Sequence, residues 1–108
     1  MKIFVDVDNT ITVTNGNDYT NSQPLHDKIK IINDLYDNGH HITYWTARGS
    51  ASGVNYYDLT KKQLDDWGVK YHNFMVDKPS YDIFIDDKTI NNIDKNQIEW
   101  LIKKEEKN

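Results

Sequence analysis

The chain has 108 residues, a formal net charge of −4 and no cysteine. That length suits one domain with a single core, and the missing thiols exclude disulfides and thiolate metal sites, which fits a reducing cytosol. The acidic balance argues against a broad nucleic-acid face, although a local pocket can still oppose the overall charge and take a small phosphorylated ligand. The segment Met1-Lys2-Ile3-Phe4-Val5-Asp6 lacks the apolar core of a signal peptide, and no apolar run is long enough to span a bilayer.

The first element is an apolar run, Ile3-Phe4-Val5, leading into Asp6-Val7-Asp8-Asn9-Thr10. A run without alternation is how a strand buried on both faces of a parallel sheet reads. Residues two apart in a strand lie about 6.6 Å apart and point to one side. Asp6 and Asp8 therefore reach one site outside the strand's carboxyl end, where open α/β sheets bind ligands. Two carboxylates about 4 Å apart repel by roughly 4 kcal/mol at an effective dielectric of 20, so a cation or a shared proton has to offset them. The plainer reading is a solvated turn, since Asp and Asn are common turn formers.

Residues 11–23 are polar, with Asn15-Gly16 as a tight-turn signal, and predict a short β-hairpin flap beside the two aspartates. Pro24 suits the first turn of a helix whose stripe is Leu25, Ile29, Ile32 and Tyr36, stopped by Asn38-Gly39. The second strand, Ile42-Thr43-Tyr44-Trp45-Thr46, runs into Ala47-Arg48-Gly49. His40 and His41 lie at its other end and read as surface residues, with no partner at ligand spacing. A small-residue loop over 49–55 precedes a helix over 56–67 that packs Tyr57, Leu64 and Trp67 and ends at Gly68. Residues 69–76 give a third strand, with His72 a bystander. The turn Asp77-Lys78-Pro79-Ser80 leads to a fourth strand, Asp82-Ile83-Phe84-Ile85, ending in Asp86-Asp87. Asp94 and Gln97 form a capping box for a last helix with the stripe Ile98, Leu101 and Ile102.

Alternating strands and helices specify an α/β layer fold with a parallel sheet and right-handed crossovers. With the first strand central, the strand order is 4-1-2-3. Asp6, Asp8, Thr46, Lys78, Asp86 and Asp87 then line one crevice.

These clusters, in order and at strand ends, resemble the haloacid dehalogenase superfamily of phosphohydrolases. The motifs are Asp6-Val7-Asp8-Asn9-Thr10, Thr46, Lys78, and Asp86-Asp87 after Ile83-Phe84-Ile85. Within it, Thr46-Ala47-Arg48-Gly49 and the Lys78–Lys88 stretch look like capless phosphatases of capsule polysaccharide biosynthesis. More distantly they look like the phosphatase domain of phage polynucleotide kinase. The resemblance implies a Rossmann-like core over the whole chain without a cap domain, and a Mg²⁺-dependent phosphomonoester hydrolase. Asp6 would be the nucleophile forming an aspartyl-phosphate, and Asp8 the acid and then the base, its carbonyl also ligating the metal. Thr46 would bond a phosphoryl oxygen, and Lys78 would balance charge. Asp86 and Asp87 would complete an oxygen shell suited to Mg²⁺. Thr10 would order the motif loop at the substrate side, and Arg48 would contact substrate.

An aspartate two residues past the nucleophile sets this chain apart from the superfamily's dehalogenases and transport ATPases. Without a cap, selection falls to the flap, to a second subunit in a homo-oligomer, or to a bulky substrate. The expected substrate is a small phosphorylated sugar or metabolite. The alternatives are a polynucleotide 3′-phosphatase and a non-catalytic phosphoacceptor receiver, whose acceptor would fall near Val76-Asp77.

Overall fold

The computed structural model describes residues 1–91 and 93–98. It is an α/β fold built on a parallel three-stranded sheet. Strand β1 (Lys2–Val5) pairs with β4 (His41–Trp45), which pairs with β5 (Asn73–Met75), in the order β1-β4-β5. The register sets Val5 against Tyr44 and Tyr44 against Phe74. Helix α1 (His26–Asp37) links β1's side of the chain to β4, and α2 (Tyr57–Asp66) links β4 to β5. Both crossovers run the same way along the sheet, so right-handedness sends both helices to one face. Their buried residues, Ile29, Ile32, Leu35 and Leu64, join Val5, Ile42 and Tyr44 in the core. On the other face Phe4 and Met75 remain exposed, flanking the half-buried Trp45.

The expected hairpin forms. Strand β2 (Thr12–Val13) pairs antiparallel with β3 (Gln23–Pro24), and a short 3-10 turn, Tyr19–Asn21, lies between them. Pro24 therefore belongs to the flap and not to the helix. Its missing N–H is harmless in a two-stranded edge, and the next residue, Leu25, donates its N–H to the Ile11 carbonyl at 2.8 Å. Helix α1 ends where the spacing placed it. Gly39 has φ 92° and the His40 N–H returns to the Leu35 carbonyl at 3.1 Å.

Three expectations change. The third strand is only Asn73–Met75. Residues 82–85 pair with no strand and lie open, with Ile85 94% exposed, so among the described residues β1 is an edge and the order 4-1-2-3 is seen only as its 1-2-3 part. Strand propensity measures fit to a half-buried pleated surface, and composition alone does not supply the neighbour. His40, read as a surface residue, is buried, with Nδ1 3.2 Å from the Met1 amino group. His41 does lie half-buried at the rim, and its ring stacks on His72, which stacks on Tyr36. The Asp94 carboxylate accepts the Asn96 N–H at 2.7 Å to start a helical turn over 95–98. The stripe positions Leu101 and Ile102 lie outside the described residues.

Tyr44 is fully buried and its hydroxyl has no partner among the described residues. Burial pushes that phenol well above its ordinary value. The neutral form is favoured in the fold, so its contribution is complete below about pH 10 and is lost as pH climbs toward the folded-state value. Tyr44→Phe is expected to raise stability by about 1 kcal/mol at pH 7 and to flatten the alkaline decline. Urea unfolding at neutral and alkaline pH checks both.

Candidate functional site at the carboxyl ends of the parallel strands

Asp6 follows β1 directly, and its side chain is 37% exposed. Thr10 Oγ1 donates to Asp6 Oδ2 at 3.3 Å, and Lys78 Nζ lies 3.5 Å from Asp6 Oδ1. The chain turns sharply between the two aspartates and the flap. Thr10 and Ile11 both return their N–H groups to the Val7 carbonyl, and Asn9 takes φ 58°. Asn tolerates that left-handed conformation better than most residues, which is a reason for Asn at this place.

Lys78 reaches Asp6 from the loop after β5. Asp77 has φ 67°, the Lys78 N–H donates to the Thr46 carbonyl at 3.1 Å, and Ser50 Oγ donates to the Lys78 carbonyl at 2.7 Å. The loop is thus zipped onto the end of β4. Its ammonium lies 5.4 Å from the centre of the exposed Tyr81 ring and 6.0 Å from that of Trp45. Thr46 is buried, and its Oγ1 accepts the Arg48 N–H at 3.1 Å. Gly49 has φ 84°, and a Cβ there would run into the Val54 carbonyl, so the loop after Arg48 folds tightly only around glycine.

Asp8 is held more firmly than Asp6. Arg48 donates from Nε to Oδ2 and from Nη2 to Oδ1, both at 2.8 Å, a bidentate pair whose side chains are 0% and 20% exposed. Thr14 Oγ1 donates to Asp8 Oδ1 at 2.8 Å and lies 2.7 Å from both Thr12 Oγ1 and Ser22 Oγ. Arg48 Nη1 reaches Thr60 Oγ1 at 3.1 Å and also Gln63 Oε1, and Nη2 reaches Ser22 Oγ at 3.2 Å. A guanidinium has five N–H donors, and here all five have acceptors within the protein. The Arg48 side chain, expected to contact substrate, faces Asp8, the flap and α2 in the structure.

The structure therefore brings together Asp6, Asp8, Thr10, Thr46 and Lys78, with Arg48 behind Asp8. It does not bring Asp86 and Asp87 to them. Among the described residues no three His, Asp or Glu side chains form a group able to hold a metal. The two acids sit on the open stretch after residues 82–85, and Asp86 Oδ1 accepts the Lys88 N–H at 3.3 Å. A hydrogen bond from Asp87, then the Lys88 N–H, holds the Asp86 carboxyl below its ordinary value. The reason is the missing fourth strand, which was to carry them to β1. Thr14, Ser22, Thr60 and Gln63 were not foreseen. They are scattered polar residues with no common spacing, and only the fold collects them.

No family model and no curated protein matches this chain. Among solved structures, a crystal structure of an MCSG target from Vibrio cholerae is similar to it. Identity is 28%, the TM-score is 0.78, and the match covers 96% of this chain and 98% of that one. The two chains share a fold along nearly their full lengths. Among the described residues no helix is long and apolar enough to cross a membrane.

Thr14→Val keeps the side-chain volume and deletes the hydroxyl that bonds Asp8, so Asp8, Thr12 and Ser22 each lose a neighbour. It is expected to lower stability by about 1–3 kcal/mol in chemical denaturation, with Thr14→Ser recovering most of the loss.

Proposed function

We propose that the chain is a phosphomonoester hydrolase that works through an aspartyl-phosphate on Asp6. The observation that carries the reading is the Asp6 carboxylate at the end of a parallel strand, paired with Lys78 and oriented by Thr10. Asp8, the only other acid of the motif, is fixed two residues away. The motif resemblance supplies the chemistry, and the substrate class is a small phosphorylated sugar or metabolite.

In this reading an Asp6 carboxylate oxygen attacks phosphorus and the bond to the ester oxygen breaks. The leaving oxygen takes a proton from Asp8 in its protonated form, which requires one bond of the Arg48 fork to give way. Asp8 then takes a proton from the incoming water, whose oxygen attacks phosphorus and returns Asp6 as the free carboxylate. Lys78, already beside Asp6, offsets negative charge shared between nucleophile and phosphoryl group. Thr46, its Oγ1 oriented by the Arg48 N–H, donates its hydroxyl proton to a phosphoryl oxygen. Exposed Tyr81, next to Lys78, borders the approach to the site.

The donors the sequence offers for a metal are all oxygens, which suits Mg²⁺. Asp6, the Asp8 carbonyl, Asp86 and Asp87 would hold it, and it would supply positive charge to the phosphoryl group and the nucleophile. Only the first two of these lie at the β1 end in the structure, so the fit is partial.

No observation favours the receiver reading. Among the described residues Asp77 has no ion pair, whereas the lysine of the loop goes to Asp6. The net charge of −4 likewise offers little to an extended polynucleotide backbone.

Asp6→Asn is expected to fold with an unchanged melting temperature and to lose turnover of an aryl phosphate in Mg²⁺, because an amide is a poor nucleophile. Retention of most of the activity would rule out the covalent route, and a single phosphorylation without turnover would mark a receiver. For the metal, a melt with and without Mg²⁺ is the measurement. Binding at about 100 times the dissociation constant adds about 2.7 kcal/mol. An unchanged melt would remove Mg²⁺ from the proposal, and loss of the shift in Asp86→Asn or Asp87→Asn would assign the ligand.

A further inference from the structure

Arg48 bonds both oxygens of Asp8, and Gln63 bonds Arg48. Arg48 joins four separate stretches. It follows β4, grips the Asp8 carboxylate after β1, reaches Ser22 at the return of the flap, and contacts Thr60 and Gln63 on α2. Its guanidinium also sits 4.8 Å from the centre of the Tyr19 ring, in the short turn of the flap. Gln63 completes the circuit. Its Oε1 accepts from Arg48 while its Nε2 donates to the Tyr19 carbonyl at 2.8 Å. The Tyr19 ring in turn meets Tyr56, at the start of α2, edge to face at 4.8 Å.

We propose that Arg48 and Gln63 are a positioning pair that ties the seating of the flap to the placement of Asp8. With all five guanidinium donors engaged, Arg48 has none left for a phosphoryl oxygen, so its effect on the site passes through Asp8. A planar fork bonded to both carboxylate oxygens fixes the plane of the carboxylate as well as its position. Lysine, a point charge, can keep the attraction and loses the orientation. The flap enters because Ser22, Tyr19 and Asp8 share the same cation. Lifting residues 19–22 removes an acceptor and a ring face from Arg48, and releasing Arg48 removes what holds the flap down. Substrate entering under the flap therefore meets an Asp8 whose geometry depends on how the flap sits.

The consequence for turnover rests on the phosphatase reading; the tie itself does not. Two readouts on the full-length chain keep them apart. The first is steady-state kinetics on an aryl phosphate with Mg²⁺ for Arg48→Lys and Gln63→Met, alone and in an Asp8→Asn background. Arg48→Lys is expected to lower kcat about ten- to a hundredfold with KM within about twofold, and to add nothing once Asp8 is Asn. The second is amide hydrogen exchange over residues 11–24. Gln63→Met, which removes the bond to Tyr19 and one acceptor of Arg48 Nη1 but leaves the bidentate bonds of Arg48 to Asp8 in place, is expected to speed exchange at residues 19–22 and leave α1 unchanged. A rise in KM, or an undiminished Arg48→Lys effect in the Asp8→Asn background, would show that Arg48 touches substrate and would overturn the proposal. Flap exchange in Gln63→Met equal to that of the unaltered protein would overturn the tie, even if Arg48→Lys failed to fold. If the unaltered protein hydrolysed no phosphate ester, the phosphatase reading would fall and the exchange result alone would decide the tie.

Discussion

The candidate site is organised around one ion pair, a buried Arg48 and an Asp8 whose side chain is 20% exposed. Arg48 has no exposed side-chain surface, and taking a guanidinium and a carboxylate out of water costs several kcal/mol for each ion unless the lost hydration is replaced. Here it is replaced in full on the arginine side and by three donors on Asp8. Removing one partner of such a pair leaves the other charge buried alone, at a cost of about 3–5 kcal/mol. The two strand ends, the flap and α2 must therefore stay in register with one another, since each supplies an acceptor or donor the pair cannot do without. A hydrophobic contact at the same place would tolerate a shift of half an ångström; a bidentate fork does not.

The loops around the pair are shaped to deliver functional groups. Asn9 and Asp77 are the described non-glycine residues with positive φ, and each adjoins a residue of the candidate chemistry, Asp8 and Lys78. Left-handed backbone disfavours most side chains, and its occurrence next to both charged groups marks the two places where the chain turns hardest to aim them. Asp6, by contrast, needs no special turn. It continues directly from β1, and its partners come to it.

Much of this arrangement is legible in the residues. The helices follow from the spacing of Ile29, Ile32 and Tyr36 and from Leu64, and their ends follow from Gly39 and Gly68. The convergence of Asp6, Asp8, Thr46 and Lys78 follows from polar residues placed after apolar runs in a parallel fold. Pro24 was misplaced because proline suits a first helical turn and an edge strand equally well, and only the Leu25 to Ile11 bond separates the two. The stretch at Ile83–Ile85 has strand composition and no strand partner, a distinction that composition does not hold. The substrate role expected for Arg48 came from the motif resemblance and not from its surroundings, which the sequence does not show. Its five acceptors come from three segments far apart in sequence, and no local pattern announces them.

The parallel pairing also bears on how the chain folds. Lys2 finds its partner at His41, and Thr43 finds its partner at Asn73, so both pairings of the main sheet join residues far apart along the chain. Each pairing must first close a long loop, whose entropy is lost before any ladder bond is gained. The flap is more local: Thr12 meets Pro24 across a connection over residues 14–22. The hairpin and the helices can form early, while the sheet waits on non-local search. The contacts of the candidate site divide the same way: Thr10 to Asp6 and Thr14 to Asp8 are local, whereas Lys78 to Asp6 and Arg48 to Asp8 wait on the long-range pairing of the sheet.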